Sequence, residues 1–165
     1  MKTTFLKSML GIFILCLAVM LNIKTSEASV LDGAKEWNGH FYKAFEFQLS
    51  RDKAQKFCVS MGGHLATAEI FDENAVIQEI IDSGSKREYL IGAYKAQNGI
   101  WRWYTGGVVT DSNWQKDYPG SYSPNMSMTK DGKGKWKTTH YWDDNNPYPF
   151  ICEWDSKDAA HDSTM

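Results

Sequence analysis

The chain has 165 residues and a net charge of −2, and its lysines are scattered, often beside acidic residues. Because no basic stripe is present, no phosphate-binding surface is expected, and nucleic acid is excluded as a partner. Aromatic residues make up 14% of the chain, and most tryptophans lie from Trp101 onward, which leaves room for a ring-stacking surface beside the core.

The first 28 residues are typical of a secretory signal peptide. Two lysines precede the apolar run 9–21, and small residues precede a predicted cleavage site before Ser29. The apolar run is shorter than the roughly 20 residues that a membrane span needs. An uncleaved membrane anchor and a lipid anchor on Cys16 are the alternatives. The prediction is therefore a secreted or periplasmic protein with no membrane span once the signal is removed.

Residues 29–155 are predicted to form one domain, and residues 156–165 a frayed polar tail. After signal removal the cysteines that remain are Cys58 and Cys152. In an oxidising compartment two distant cysteines most simply form one disulfide bond. A zinc site or a reactive thiol has less support, because the sequence has no Cys-x-x-Cys and its four histidines show no ligand spacing.

Apolar periodicity and the placement of turn residues predict the helices and strands. The predicted elements are a strand over 41–47, a helix near 50–61 capped by Ser50 and stopped by Gly62-Gly63, a short apolar piece at 65–66, a helix near 72–82 capped by Asp72 and stopped by Gly84, strands over 89–94 and 100–104, and closing strands at Trp136 and 150–153. Residues 106–134 are rich in Gly, Pro, Ser, Asn and Asp, which predicts a mostly irregular loop with a short strand near 126–129.

Six short motifs carry the main family signal of the sequence through their order along the chain. They are WNGHFY at 37–42, GGHLATAEIFDEN at 62–74, YLIGAY at 89–94, WRWYTGG at 101–107, Trp114, and PFICEW at 149–154. Together they resemble the C-type lectin-like domain over nearly all of residues 29–155. The resemblance implies an α+β fold with two helices against antiparallel sheets and a long irregular ligand loop. Cys58 and Cys152 match the outer bridge of this family. Its inner pair is missing, which implies a loop held by packing alone.

The resemblance also assigns roles to aromatic and histidine residues. It places four tryptophans in the core beneath the loop, namely Trp101, Trp103, Trp114 and Trp136. His64 and His140 have no paired ligand or base in the sequence, so both are interpreted as ordinary surface or core histidines.

Sugar-binding members of this family hold calcium through a Glu-Pro-Asn or Gln-Pro-Asp triplet and a Trp-Asn-Asp triplet. Counting from Trp114, the first triplet falls on Tyr118-Pro119-Gly120 and the second on Trp136-Lys137-Thr138. The oxygen ligands that a hard cation needs are then lost, and Lys137 brings a positive charge to their place. The usual calcium site is therefore not expected, and no cofactor is predicted.

A substitute calcium site is the weaker alternative. The run Asp143-Asp144-Asn145 could replace the lost ligands if Trp142 took the place of the second triplet's tryptophan. A solvated acidic turn is the favoured interpretation, because adjacent aspartates on a loop often face water.

The leading functional hypothesis is a secreted module that binds a glycan or a glycan-bearing surface. The candidate contact residues are Tyr118, Tyr122, Trp142, Asp143, Asp144 and Asn145. Calcium-independent binding of a protein is the alternative. No enzyme is predicted, because adjacent residues such as Asp143 and Asp144 rarely face each other across a cleft as glycoside hydrolysis requires, and motifs for other reactions are missing.

Overall fold

The computed structural model of the chain describes residues 29–110, 113–120, 123–139 and 146–162. The predicted signal peptide lies outside these ranges and stays a prediction. In chain order the elements are β1 (Lys35–Trp37), β2 (His40–Leu49), α1 (Arg51–Ser60), β3 (His64–Leu65), α2 (Phe71–Ser83), β4 (Glu88–Lys95), β5 (Trp101–Trp103), β6 (Asn125–Thr129), β7 (Trp136–Thr138), β8 (Tyr148–Trp154) and a 3₁₀ turn (Lys157–Ala159). Neither α1 nor α2, nor any other helical segment in the described ranges, qualifies as a membrane-spanning helix.

The hairpin of β1 and β2 is an element that the sequence analysis missed. Trp37 pairs with His40 across the two-residue turn Asn38-Gly39. The φ angles of Asn38 and Gly39 are +51° and +83°, and tight hairpin turns of this kind favour Asn-Gly because both residues need positive φ. The turn therefore fixes the backbone of His40 at the first position of β2.

The first predicted helix is confirmed as α1. Ser50 stands at its N-cap as predicted, although the Ser50 side chain makes no capping hydrogen bond. Gly62 follows the helix with a φ of +81°, and the Gly63 N–H donates to the Cys58 carbonyl over 2.9 Å. Such a left-handed residue after the last turn is the usual way a helix ends at glycine.

The second predicted helix is confirmed as α2, but the prediction of Asp72 as its cap is wrong. The N-cap is Ile70, whose N–H donates to the Glu73 carboxylate over 3.0 Å. Glu73 thus satisfies a backbone donor that the helix leaves unpaired, which is one half of a capping box, and the helix begins earlier. Asp72 lies in the first turn, where its charge suits the helix dipole. Gly84 ends the helix as predicted.

The strands form one sheet in the order β1-β2-β8-β4-β6-β7, with β3 paired to β8 and β5 to β4. Neighbouring strands are antiparallel as predicted, except that β4 and β8 run parallel where Leu90 meets Phe150. The described parts of the predicted loop at 106–134 are irregular apart from β6 and isolated bridges at Val108 and Trp114. Strand β6 thus lies within the predicted loop, and together with β7 it forms the edge of the sheet beyond β4.

The disulfide between Cys58 and Cys152 is confirmed, with 5.6 Å between the two Cα atoms. It lies in an apolar cluster built from α1 and the middle of the sheet. Fully buried members of this cluster include Ala54, Leu65, Leu90, Phe150 and Trp154. Val30 and Leu31, before β1, and Ala160, after β8, pack on the same cluster. The bridge thus lies where the segment before β1 meets the segment after β8.

The segment after β8, predicted to be a frayed tail over 156–165, makes hydrogen bonds as far as His161. Its 3₁₀ turn begins where Ser156 Oγ accepts from the Ala159 N–H over 3.2 Å, and the His161 N–H donates to the Met61 carbonyl over 3.1 Å. The close approach requires glycine at position 62, because a Cβ there would stand 1.8 Å from the Ala159 carbonyl oxygen. The chain is thus fastened to the end of α1 through the residues that the structure describes there.

Glu46 links β2 to the start of β4 and yields a first testable prediction. Its carboxylate accepts from the Tyr89 hydroxyl over 2.7 Å and from the Ser85 hydroxyl over 2.9 Å. Burial alone would raise the pKa of Glu46, but the hydrogen bonds from Tyr89 and Ser85 outweigh it and hold this pKa below its ordinary value of 4.5. Since the pKa is lower in the folded state, Glu46 stabilises the fold above pH 4.5, and this stabilisation is lost as pH falls through the folded value.

Replacing Glu46 by Gln is therefore expected to lower the free energy of unfolding at neutral pH and to change it less at low pH. Urea unfolding at steps from about pH 7 to about pH 3 measures the difference. Glu36→Gln, at an exposed position of β1, is the matched control. A difference between wild type and Glu46→Gln that stays constant over this range would contradict the assignment.

Candidate functional site

The structure describes one of the six predicted contact residues, Tyr118. The other five lie outside the described residues and stay predictions: Tyr122, Trp142, Asp143, Asp144 and Asn145. The candidate site is therefore built from the side chains around Tyr118.

Tyr118 lies at a cleft of about 330 Å³ near the edge of the sheet where β7 lies. Its lining comes from the start of β4, the end of β6, the middle of β7 and the loop: Arg87, Glu88, Gln115, Tyr118, Thr129 and Lys137. The strand register explains this grouping, because Glu88 lies opposite Thr129 and Ser127 opposite Lys137. A neighbouring cleft of about 290 Å³ shares Arg87 and Glu88 and extends to residues 146–149.

An ion pair lies in this cleft. Lys137 Nζ stands 3.2 Å from Glu88 Oε2, and the two side chains are only 10% and 15% exposed. The Ser127 hydroxyl donates to the other oxygen of Glu88 over 2.7 Å. A charge this far from water is stable only when it is paired and hydrogen-bonded, so the two side chains hold each other in place.

The loop beside the cleft is held by hydrogen bonds as well as by packing, so the expectation of packing alone is wrong. The Trp136 N–H donates to the Asn113 carbonyl over 3.0 Å, and the Gln115 N–H donates to the Trp136 carbonyl over 2.7 Å. The Asn113 amide also donates to Asn74 Oδ1 over 3.0 Å. These bonds add the segment at 113–115 to the outer edge of β7 and position Tyr118 without a second disulfide.

The four tryptophans lie beneath the loop as predicted. Trp101, Trp103 and Trp136 are buried, and Trp114 is half-buried against the same core. Trp114 meets Trp101 and Trp136 edge-on, with ring centroids 4.9 Å and 5.8 Å apart, which is a favourable geometry for aromatic pairs. None of the four lines the cleft beside Tyr118, so they belong to the core and not to the contact surface.

The described part of the cleft does not fit a calcium ion. Calcium takes six to eight oxygen ligands, several of them carboxylates. Among the lining residues Glu88 is the one carboxylate, and it is engaged by Lys137 and Ser127. Lys137 and the buried Thr138 occupy the positions that the second triplet assigns to ligands.

Sequence reasoning found Tyr118 and Lys137 but missed Arg87, Glu88 and Gln115. Glu88 and Lys137 belong to strands far apart in the chain, and no local pattern marks them as partners. The signal that could have helped is the lysine at position 137 between the core residues Trp136 and Thr138, since a buried ammonium group requires a nearby carboxylate.

Comparison of the sequence with known proteins identifies a domain family that covers most of the described chain. The family model of the Lectin C-type domain matches residues 47–154. C-type lectin domain family 4 member F of Mus musculus is 30% identical over 132 residues, which are 72% of this chain and 22% of that protein. The chain thus spans about a fifth of that relative's length. Snaclec 3 of Sistrurus catenatus edwardsii is 24% identical over 145 residues, which are 83% of this chain and 92% of that protein.

Solved structures share the fold. The Ca²⁺-independent C-type lectin SPL-2 from Saxidomus purpuratus superimposes with a TM-score of 0.67 at 26% identity, over 76% of this chain and 93% of that chain. One assignment agrees with all of these observations. They are the sequence motifs, the bridge between Cys58 and Cys152, the two helices against a mixed sheet, and the match to the family model. The chain belongs to the C-type lectin family and has its α+β fold.

Proposed function

We propose that the protein is a secreted carbohydrate-binding module that binds its glycan without calcium. The observation that carries this proposal is the pair of Lys137 and Glu88 in the cleft beside Tyr118. Sugar hydroxyls both donate and accept hydrogen bonds. The Lys137 ammonium group donates, the Glu88 carboxylate accepts, and the Gln115 amide does both, so the cleft offers matched partners without a metal ion.

The Tyr118 ring supplies the apolar contact. It is half-buried at the mouth of the cleft, where one face of a sugar ring could rest on it. The name of the similar protein SPL-2, a Ca²⁺-independent C-type lectin, supports a metal-free mode of binding in this family. Catalysis is not proposed, since glycoside hydrolysis needs two carboxyl groups and Glu88 is the one carboxylate among the described residues that line the cleft.

Binding of a protein is the second candidate. It is favoured by Ile70 and Phe71 at the start of α2, whose surfaces are 52% and 78% exposed. Neighbouring exposed apolar side chains often mark a protein contact. In that case free sugars would not compete with the bound partner.

A glycan array probed with the purified protein tests the proposal directly. We expect binding to a defined glycan set, with the same intensity in calcium and in a chelator. Tyr118→Ala should weaken binding about tenfold, which is about 1.4 kcal/mol of ring contact. Phe71→Ala, an exposed aromatic residue of α2, is the matched control and should bind as the wild type does. Binding that needs calcium, or binding lost in Phe71→Ala and kept in Tyr118→Ala, would contradict the proposal.

A further inference from the structure

A cluster of histidine and carboxylate side chains lies where strands β2 and β3 meet the end of β8 and the residue that follows it. His40 Nδ1 stands 2.8 Å from Glu153 Oε1 and 3.8 Å from Asp155 Oδ1. One ligand atom from each of these three residues lies within 4.8 Å of the other two. Imidazole nitrogen and carboxylate oxygen are ligands that proteins use for zinc and similar metals.

The backbone holds the cluster together. His40 is the first residue after the tight turn of the β1–β2 hairpin, and the next residue, Phe41, pairs with Trp154 of β8. His64 of β3 pairs with Glu153. The three strands therefore converge on the carboxyl end of β8, although their residues are far apart in the sequence.

The carboxylates of the cluster already have orienting partners. Glu153 Oε1 accepts from the Tyr42 hydroxyl over 3.2 Å, and Glu153 Oε2 accepts from the Thr67 N–H over 2.8 Å. His64 Nε2 stands 3.1 Å from Asp155 Oδ1, while His64 Nδ1 stands 2.8 Å from the Leu65 carbonyl. Metal ligands in proteins are usually fixed by such a surrounding layer of hydrogen bonds.

We propose that His40, Glu153 and Asp155 form a three-ligand site for a divalent transition metal such as Zn²⁺, with His64 positioning Asp155. Three protein ligands leave a fourth tetrahedral position for water. The nitrogen ligand favours zinc over calcium, which prefers a shell of oxygen atoms.

The distances agree with this geometry. Zinc bonds of about 2.0–2.1 Å place tetrahedral ligand atoms about 3.4 Å apart. The two distances from His40 Nδ1, 2.8 Å and 3.8 Å, lie on either side of this value. The side chains of His40 and Asp155 are 33% and 68% exposed and have room to adjust, whereas Glu153 is 2% exposed and fixed. The separation of the Glu153 and Asp155 ligand oxygens is bounded only at 4.8 Å, so binding of the ion relies on rotation of the exposed His40 and Asp155 side chains toward Glu153.

Isothermal titration of the untagged, metal-free protein with Zn²⁺ tests the site. We expect one bound ion per chain. His40→Gln keeps an amide donor for Glu153 but removes a ligand, so zinc binding should weaken by at least about 100-fold. His64→Gln removes only the partner that positions Asp155, so zinc binding should weaken by about 10- to 100-fold. His161→Gln is the matched control, since this exposed histidine lies outside the cluster.

Thermal unfolding and a second ligand variant test the zinc site independently of the titration. Thermal unfolding should show that Zn²⁺ raises the Tm of the wild type and not that of His40→Gln, since a ligand that binds the folded form stabilises it. Asp155→Asn, at an exposed position, replaces His40→Gln if the latter fails to fold. The proposal is overturned if Zn²⁺ does not bind, or if it binds these ligand variants as tightly as the wild type. This outcome does not depend on glycan binding.

Discussion

Replacing Cys58 and Cys152 together by alanine is expected to lower the free energy of unfolding by about 4 to 5 kcal/mol. The two cysteines are 94 residues apart and fully buried, so the bridge closes a long loop of the unfolded chain. Without the bridge the unfolded chain gains conformational entropy, and the contact between α1 and β8 loses its covalent link. Urea unfolding of the purified variant measures the loss.

A reducing agent separates loss of the bridge from loss of the sulfur atoms. The wild type in strong reductant should unfold close to where the double variant does, while the variant itself should not respond to reductant. If the variant and the oxidised wild type unfold at the same urea concentration, the bridge does not contribute as argued. A response of the variant to reductant would show that a thiol outside this pair is involved.

The second large effect is expected from Lys137→Met. Methionine keeps most of the side chain's length but removes the ammonium group, and Glu88 is left in the cleft with Ser127 as its remaining partner among the described residues. A largely buried carboxylate without its counter-ion is strongly destabilising, so the free energy of unfolding should fall by about 3 kcal/mol. Glycan binding should fall in the same variant, because the cleft loses its charged donor.

A double-mutant cycle with Glu88→Gln isolates the pair. The double variant should lose less stability than the two single losses combined, with an interaction energy of about 1 to 2 kcal/mol. Lys135→Met, at an exposed position two residues before Lys137, is the matched control and should stay within about 0.5 kcal/mol of the wild type. Additive losses would show that Lys137 and Glu88 do not stabilise each other.

Local sequence signals predicted most of the fold. Apolar periodicity predicts where the helices lie, and glycines such as Gly62 predict where they end. Glycine adopts positive φ at little cost, so the residue type alone carries this signal. The start of α2 was misplaced because Asp72 is a common cap, whereas the Glu73 side chain reaches back to the backbone and moves the boundary. Strand β1 was missed because it is short, although Asn38-Gly39 between aromatic residues carried the signal of its hairpin.

The candidate site was predicted less completely, because its groups meet only through strand pairing. Spacing from Trp114 led to Tyr118 and Lys137, but the partner of Lys137 follows from the pairing of β4, β6 and β7. The histidines show the same limit, since His40 meets Asp155 only after β2 and β8 pair. The run at 143–145 lies outside the described residues, and its assignment as a solvated turn stays a prediction.

The packing of the segments before β1 and after β8 on the disulfide cluster has a practical consequence for attaching the protein to a surface. Val30, Leu31 and Ala160 pack there, next to α1, while the cleft lies by β7 and β1 forms the opposite edge of the sheet. We expect a protein joined to a bead or scaffold through either of these two segments to keep its cleft free. Many copies side by side could then engage a glycan-covered surface at once, and their joint attachment would exceed the affinity of one copy without any new contact.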